Sequence, residues 1–190
     1  MVIIDHFTLK GNEVNCTRDG WKNISGFLFM TMIVGIDPGS IRTGFGIINS
    51  EKNNLTHIAH GTIHAKGNSM AARLHFIYEQ LCEMIARYQP HEAAVEEVFM
   101  QINFQSALKL GQARGAALIA LARYAVPIHE YSARVIKKTA VGFGAASKEQ
   151  MQFMVRAQLK LVANPQADAA DALAIAICHA QHSRQICLLP

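Results

Sequence analysis

Residues 166–178, QADAADALAIAIC, constrain this chain more than any other stretch. Ala, Leu and Ile fill nearly every position, so a helix here is apolar around its whole circumference and reads as buried. Yet Asp168 and Asp171 stand within it three residues apart, and residues at that spacing share one helix face. A carboxylate is seldom fully buried without a partner. Asn164 as N-cap and Pro165 as first helical residue predict the helix start, which puts Asp168 near the first turn. There the helix dipole favours a negative charge by about 0.3–1 kcal/mol. The dipole does little for Asp171, one turn further in and flanked by Ala170 and Ala172. No basic residue lies between Pro165 and Cys178. The two acids therefore repel, or one takes up a proton; a divalent cation removes the conflict.

A chain of 190 residues favours one domain, large enough to bury roughly 70% of its unfolded surface without disulfides or structural metals. With 51% hydrophobic and 17% charged residues, it has the composition of an ordinary globular protein. No apolar run reaches the roughly 18 residues that span a membrane. The longest candidate, ISGFLFMTMIVGI at 24–36, stops at Asp37 and follows Asp19 and Lys22 rather than a secretory charge pattern. These features predict a cytoplasmic protein without a membrane partner. Cys16, Cys82, Cys178 and Cys187 form no C-x-x-C pair, which signals neither a zinc site nor a disulfide framework. They read as reduced thiols, with Cys178 packed as a small hydrophobe.

The net charge is +4, but it is unevenly spread. Between Val98 and Ala167 nine basic residues (Lys109, Arg114, Arg123, Arg134, Lys137, Lys138, Lys148, Arg156 and Lys160) face two acids, Glu130 and Glu149. That surplus points to a polyanion partner; solvated helix faces are the plainer alternative.

Residues 1–31 lack periodicity and are expected to form an extension outside the fold, or to precede the true start, since Met30 and Met32 both come before the first strong pattern. MIVGID (32–37), TGFGIIN (43–49) and LTHIAHGTIH (55–64) read as three strands joined by short turns, an antiparallel meander. Ser69 opens a helix that Pro90 ends. HEAAVEEV (91–98) is a strand, parallel to the first by the crossover rule. A long helix over 104–124, a strand at VPIHEY, a short helix at SARVIKKT, a helix from Ser147 and the final helix complete the chain. The expected fold class is α/β, a mixed central sheet flanked by helices, spanning 32–183 with a short tail at 184–190.

Two further acids end strands. Asp37 closes MIVGID before Pro38-Gly39, and Glu96 and Glu97 lie in AVEEVF. If those strands are parallel neighbours, Asp37 meets one of the two glutamates at the sheet end where open α/β sheets bind ligands. Alternation lets only one of them face it, and spacing does not say which. Each acid alone has a structural reading, as a turn residue or an edge charge. Together, three or four carboxylates without His or Cys make an oxygen-only site suited to Mg²⁺ or Mn²⁺. Two such ions serve in-line displacement at phosphorus.

IVGIDPGSIRTGFGII, AVEEVFM, SALKLGQARG and NPQADAADALAIAI resemble the RuvC family of Holliday junction resolvases, the crossover junction endodeoxyribonucleases. The likeness runs in order from about Met32 to Cys178. It implies an RNase H-like fold and a homodimer that places paired symmetric nicks in four-way DNA junctions, in recombination and repair, beside the branch-migration proteins RuvA and RuvB. It also implies four catalytic and metal-binding acids, Asp37, Glu96, Asp168 and Asp171, holding two Mg²⁺ ions for which Mn²⁺ can substitute, with no organic cofactor. Glu97 stands where many relatives carry Gln and is expected to face away from the metals.

Phe99 resembles the family's aromatic residue that enters the opened junction, where stacking on an unpaired base contributes roughly 1–3 kcal/mol; a core or dimer contact is the alternative. Lys137 and Lys148 match basic residues important in the family, and a lysine near the cut phosphate can neutralise developing charge. Arg134, Lys138 and Arg156 are expected to contact DNA phosphates. Ala107, Gly111 and Gly115, four apart, permit close packing, either across a dimer or locally. His57 and His60 are expected on opposite faces of their strand and His60 and His64 on one, which argues against a three-His metal site. The extension at 1–31 and the short tail depart from the family pattern, and the short tail is expected to weaken DNA affinity. GIDPGS with TGFG also resembles the phosphate loop of actin-like ATPases and sugar kinases, which need two such domains. An RNA-processing nuclease of the same fold, such as the pre-16S rRNA nuclease family, and a non-catalytic junction-binding module are the remaining alternatives.

Overall fold

The computed structural model describes residues 30–52, 54–97, 104–142 and 147–187. Three strands, β1 (Thr31–Asp37), β2 (Arg42–Glu51) and β3 (Asn54–His64), form the antiparallel meander. Helix α1 (Met70–Tyr88) then crosses over to β4 (Glu92–Glu96), which pairs parallel to β1, and α2 (Phe104–Arg123) leads to β5 (Ile128–Tyr131), parallel to β4. The sheet order is β3-β2-β1-β4-β5. Helices α3 (Ala133–Val141), α4 (Lys148–Leu159) and α5 (Ala167–Cys187) complete the chain.

Period-two alternation sends successive strand residues to opposite sheet faces. Val34, Ile36, Ile47, Ala93 and Val95 pack with Ile77, Leu81 and Ile85 of α1 and Ala117 and Leu121 of α2. On the other face Ile33, Ile48 and Ala94 meet α5, which α3 and α4 cover from outside. This double covering explains the apolar circumference of α5: Ala169, Ala170 and every residue from Ala172 to Ala180 are buried. Cys178 is among them, the small hydrophobe expected.

Glycines set how closely α5 approaches the sheet. A Cβ on Gly35 would lie 2.1 Å from the Ala172 carbonyl oxygen, and one on Gly44 would lie 2.0 Å from that of Asp168. Only hydrogen fits at either position, so backbone rests against backbone. TGFG is thus a docking surface for α5 as well as a strand segment.

Three details depart from the sequence expectation. Helix α5 starts at Ala167 rather than at Pro165: the Gln166 carbonyl accepts the first turn's hydrogen bond from Ala170 N–H, while the Pro165 carbonyl accepts one from the Gln152 side chain at 2.9 Å. The same helix runs to Cys187, through half of the stretch expected as a tail; just before that stretch the His182 ring lies obliquely against Tyr131. Finally, His57 and His60 are in contact, Nε2 to Nδ1 at 2.7 Å, because a bulge intervenes. Ile47 pairs with Ala59 but Ile48 with His57, so the alternation slips by one residue between the two histidines.

Candidate active site

The strands carrying Asp37 and Glu96 are parallel neighbours, in register through Ile36 and Val95, so each acid is the next residue on adjoining strands. Both lie at the carboxyl ends of those strands, the edge where α/β sheets place ligands. Beyond Asp37, the DPGS turn is pinned by buried Thr43, whose hydroxyl donates to the Gly39 carbonyl at 2.9 Å and accepts from the Gly39 N–H at 3.3 Å. The first turn of α5 adds Asp168 from beside Gly44. Asp171 follows one turn later as the single half-buried residue in an otherwise buried run.

These acids share one electrostatic environment. Asp37 is pushed from 3.8 up to about 8, first by burial, then by the charges of Asp171, Glu96 and Asp168, with Lys148 opposing. Burial raises Glu96, with Asp171 adding to the effect and Lys137 countering it. Asp171 is also raised by burial, with Asp168 adding to it and Lys148 and Lys137 pulling the other way. These acids therefore share one half-buried site, where burial first and the charges of their acidic neighbours second disfavour the ionised forms of Asp37, Glu96 and Asp171.

Two lysines complete the rim. Lys137 comes from α3 and Lys148 from the first turn of α4, and both line one cavity with Glu96, Asp171, Met151 and Ile175. The start of α4 is fixed by a capping box: Ser147 Oγ accepts the Gln150 N–H at 3.2 Å, and the Ser147 N–H donates to Gln150 Oε1 at 2.8 Å. Arg134 and Lys138 are exposed on α3; Arg156 is exposed on α4 and its Nε–H donates to the Leu161 carbonyl at 3.3 Å. Arg114, counted in the basic surplus, is ion-paired with Glu130. Glu97 is exposed past the end of β4, where its N–H donates to the Tyr131 carbonyl. Phe99 lies outside the described residues.

Along α2, Phe104, Leu108, Gly111, Gly115 and Ile119 share a face with Ala107 by helical spacing. Phe104, Leu108 and Ile119 are exposed, and a Cβ on Gly111 or Gly115 would meet nothing within 4 Å. Gly111 and Gly115 are thus no local core contact among the described residues.

Sequence reasoning passed over a second cluster. Glu92, His129 and His179, from β4, β5 and α5, converge below the same sheet face. The available signal was twofold: Glu92 alternates with Glu96 on β4, and His179 lies eleven residues, three helical turns, past Asp168.

The chain matches the family model for crossover junction endodeoxyribonuclease RuvC over residues 33–179. It is 53% identical over 157 residues to the Pectobacterium atrosepticum enzyme of that name, covering 83% of this chain and 92% of the relative. The Coxiella burnetii counterpart is 56% identical over 153 residues, 80% of this chain and 89% of that one. The structure of Thermus thermophilus RuvC in complex with a Holliday junction substrate superposes with a TM-score of 0.76 at 32% identity, covering 82% of this chain and 96% of that one. With sequence, topology and three-dimensional form in agreement over nearly the whole described domain, the chain belongs to the RuvC family of crossover junction endodeoxyribonucleases and has its RNase H-like fold.

Proposed function

We propose that this protein resolves four-way DNA junctions by paired hydrolytic nicks, with Asp37, Glu96, Asp168 and Asp171 as ligands for two Mg²⁺ ions that Mn²⁺ can replace. The observation that carries this reading is the convergence of the four acids on one half-buried site, with Asp37 driven up to about 8 by burial and its acidic neighbours. An oxygen-only donor set of this charge fits hard divalent cations and no soft metal. Bound there, such ions supply an activated water and stabilisation of the departing oxyanion in an in-line displacement at phosphorus.

The chain's own residues prepare that chemistry. Asp37 and Glu96 are held by adjoining strands, and Asp168 and Asp171 by a helix seated on glycines, so the backbone carrying the ligands is set before any ion binds. Lys137 and Lys148 hold positive charge beside the carboxylates and face the phosphate whose cleavage develops negative charge. Arg134, Lys138 and Arg156 contact neighbouring phosphates and set the register of the DNA without reading bases. Phe99, next past Val98 after the β4 segment, stacks on an unpaired base at the crossover. The exposed apolar stripe of α2, open at Gly111 and Gly115, is the homodimer seam that sets two sites against opposed strands, and RuvA and RuvB are the expected partners at the junction. No described helix is long and apolar enough to cross a membrane, and a cytoplasmic location fits a DNA substrate.

Incubation with a mobile four-way junction, linear duplex, structured RNA and Mg²⁺ tests the proposal. Symmetric nicks confined to the junction are expected. Cutting of RNA instead, or junction binding with no cutting in either metal, would overturn it in favour of the RNA-processing or non-catalytic alternative. Asp171→Asn should abolish cutting and leave junction binding within about threefold, since it removes a metal ligand and no DNA contact.

A further inference from the structure

Glu92, His129 and His179 lie apart from the carboxylate site. Glu92 precedes Glu96 by four strand residues, about 13 Å, and His179 follows Asp168 by eleven helical residues, about 16 Å. One ligand atom from each of the three residues lies within 4.8 Å of the other two. His179 is 1% exposed, and both of its ring nitrogens are engaged: Nε2 meets Glu92 Oε2 at 2.8 Å and Nδ1 meets the Tyr131 hydroxyl at 2.8 Å. The His129 ring stacks on that of His179 with centroids 4.2 Å apart and is open to solvent on its outer side.

We propose that Glu92, His129 and His179 bind a transition-metal ion of the Zn²⁺ type, a site distinct from the Mg²⁺ acids. Two imidazoles and one carboxylate make a borderline-soft donor set that favours Zn²⁺ over Mg²⁺. Tetrahedral zinc, with bonds of about 2.0–2.1 Å, keeps its ligand atoms about 3.3 Å apart. The Glu92–His179 pair therefore opens by about half an ångström, and the exposed His129 ring swings out of its stack on His179, because one ion has to lie in the plane of both imidazoles. Solvent-exposed His129 provides the entry path, and a water takes the fourth position.

Metal binding replaces the Nε2 proton that His179 otherwise donates to Glu92. The ring stays neutral by carrying its proton on Nδ1, where the Tyr131 oxygen accepts it, an outer hydrogen bond that fixes tautomer and ring orientation. The bound ion ties β4, β5 and α5 together, and α5 is the helix that positions Asp168 and Asp171.

The test uses the full chain carrying Asp37→Asn and Asp171→Asn, stripped with chelator and titrated with Zn²⁺ against a competing chelating dye. One Zn²⁺ per chain is expected. His129→Ala, at an exposed position, should weaken binding by at least about 100-fold, and Tyr131→Phe by about 10- to 100-fold. Glu92→Gln keeps a hydrogen-bond acceptor for His179 and should still weaken binding by at least about tenfold. His57→Ala with His60→Ala should change nothing. Co²⁺ in place of Zn²⁺ should give the visible absorption of a four-coordinate centre, lost in His129→Ala. Unchanged Zn²⁺ affinity in His129→Ala, or loss of binding in the His57/His60 variant, would overturn the proposal whatever the junction assay shows.

Discussion

Removing one carboxylate should make the metal-free protein more stable while it ends cutting. Asp37 is held at about 8 in the fold against 3.8 for the free side chain. Between those values the folded chain keeps a proton that the unfolded chain has lost, so stability falls as pH rises through that window. One pH unit corresponds to about 1.4 kcal/mol. The cost of Asp37 to the metal-free fold therefore grows from under about 2 kcal/mol at pH 5 to about 4 kcal/mol at pH 7. Asp37→Asn has no such proton to exchange. In chelator, its Tm should exceed that of the wild type by about 10 °C at pH 7, taking about 2–4 °C per kcal/mol for a domain of this size. The gap should narrow toward pH 5. Saturating Mg²⁺ should raise the wild type and leave the variant nearly unmoved, because under the proposed assignment only the former keeps all four ligands. Thermal melts of both proteins at pH 5, 6, 7 and 8, with chelator or Mg²⁺, provide the measurement. Parallel pH profiles without metal, or a variant less stable than the wild type at pH 7, would refute the claim that burial and acidic neighbours together hold Asp37 above its free value.

Other perturbations separate the parts of the site. Gly44→Ala places a methyl where the Asp168 carbonyl oxygen lies 2.0 Å away, and should cost about 3 kcal/mol and most of the cutting activity without changing any charge; denaturant titration beside the junction assay reads both. Lys148→Ala should slow single-turnover cutting by about 100-fold while junction affinity falls only a few fold, the pattern of a charge acting in the transition state. Leu108→Glu with Ile119→Glu, on the exposed face of α2, should convert a dimer into a monomer by light scattering and abolish paired nicking.

Much of this architecture is legible along the chain because the physics involved is local. A helix apolar all round announces its own burial, and two aspartates three apart announce a shared face; both follow from helical periodicity alone. Asp37 at a strand end before Pro-Gly is equally plain. Choosing Glu96 over Glu97 needed the family likeness, since alternation shows only that the two diverge, and the structure aligns Glu96 with Asp37 through the β1–β4 register. The features that stayed hidden depend on pairing between distant segments. The bulge that brings His57 against His60 is a property of how β3 registers on β2, and alternation within β3 alone predicts the opposite. Glu92, His129 and His179 converge only once β4 and β5 lie parallel and α5 crosses beneath them. The glycines of TGFG look like turn or phosphate-loop signals until a helix is seen resting on them.

The most direct test is anomalous diffraction from crystals soaked in Mn²⁺. Peaks within bonding distance of carboxylate oxygens of Asp37, Glu96, Asp168 and Asp171 are predicted, and they should vanish in Asp171→Asn. A site that stays empty while Mn²⁺ settles elsewhere on the protein would contradict the account.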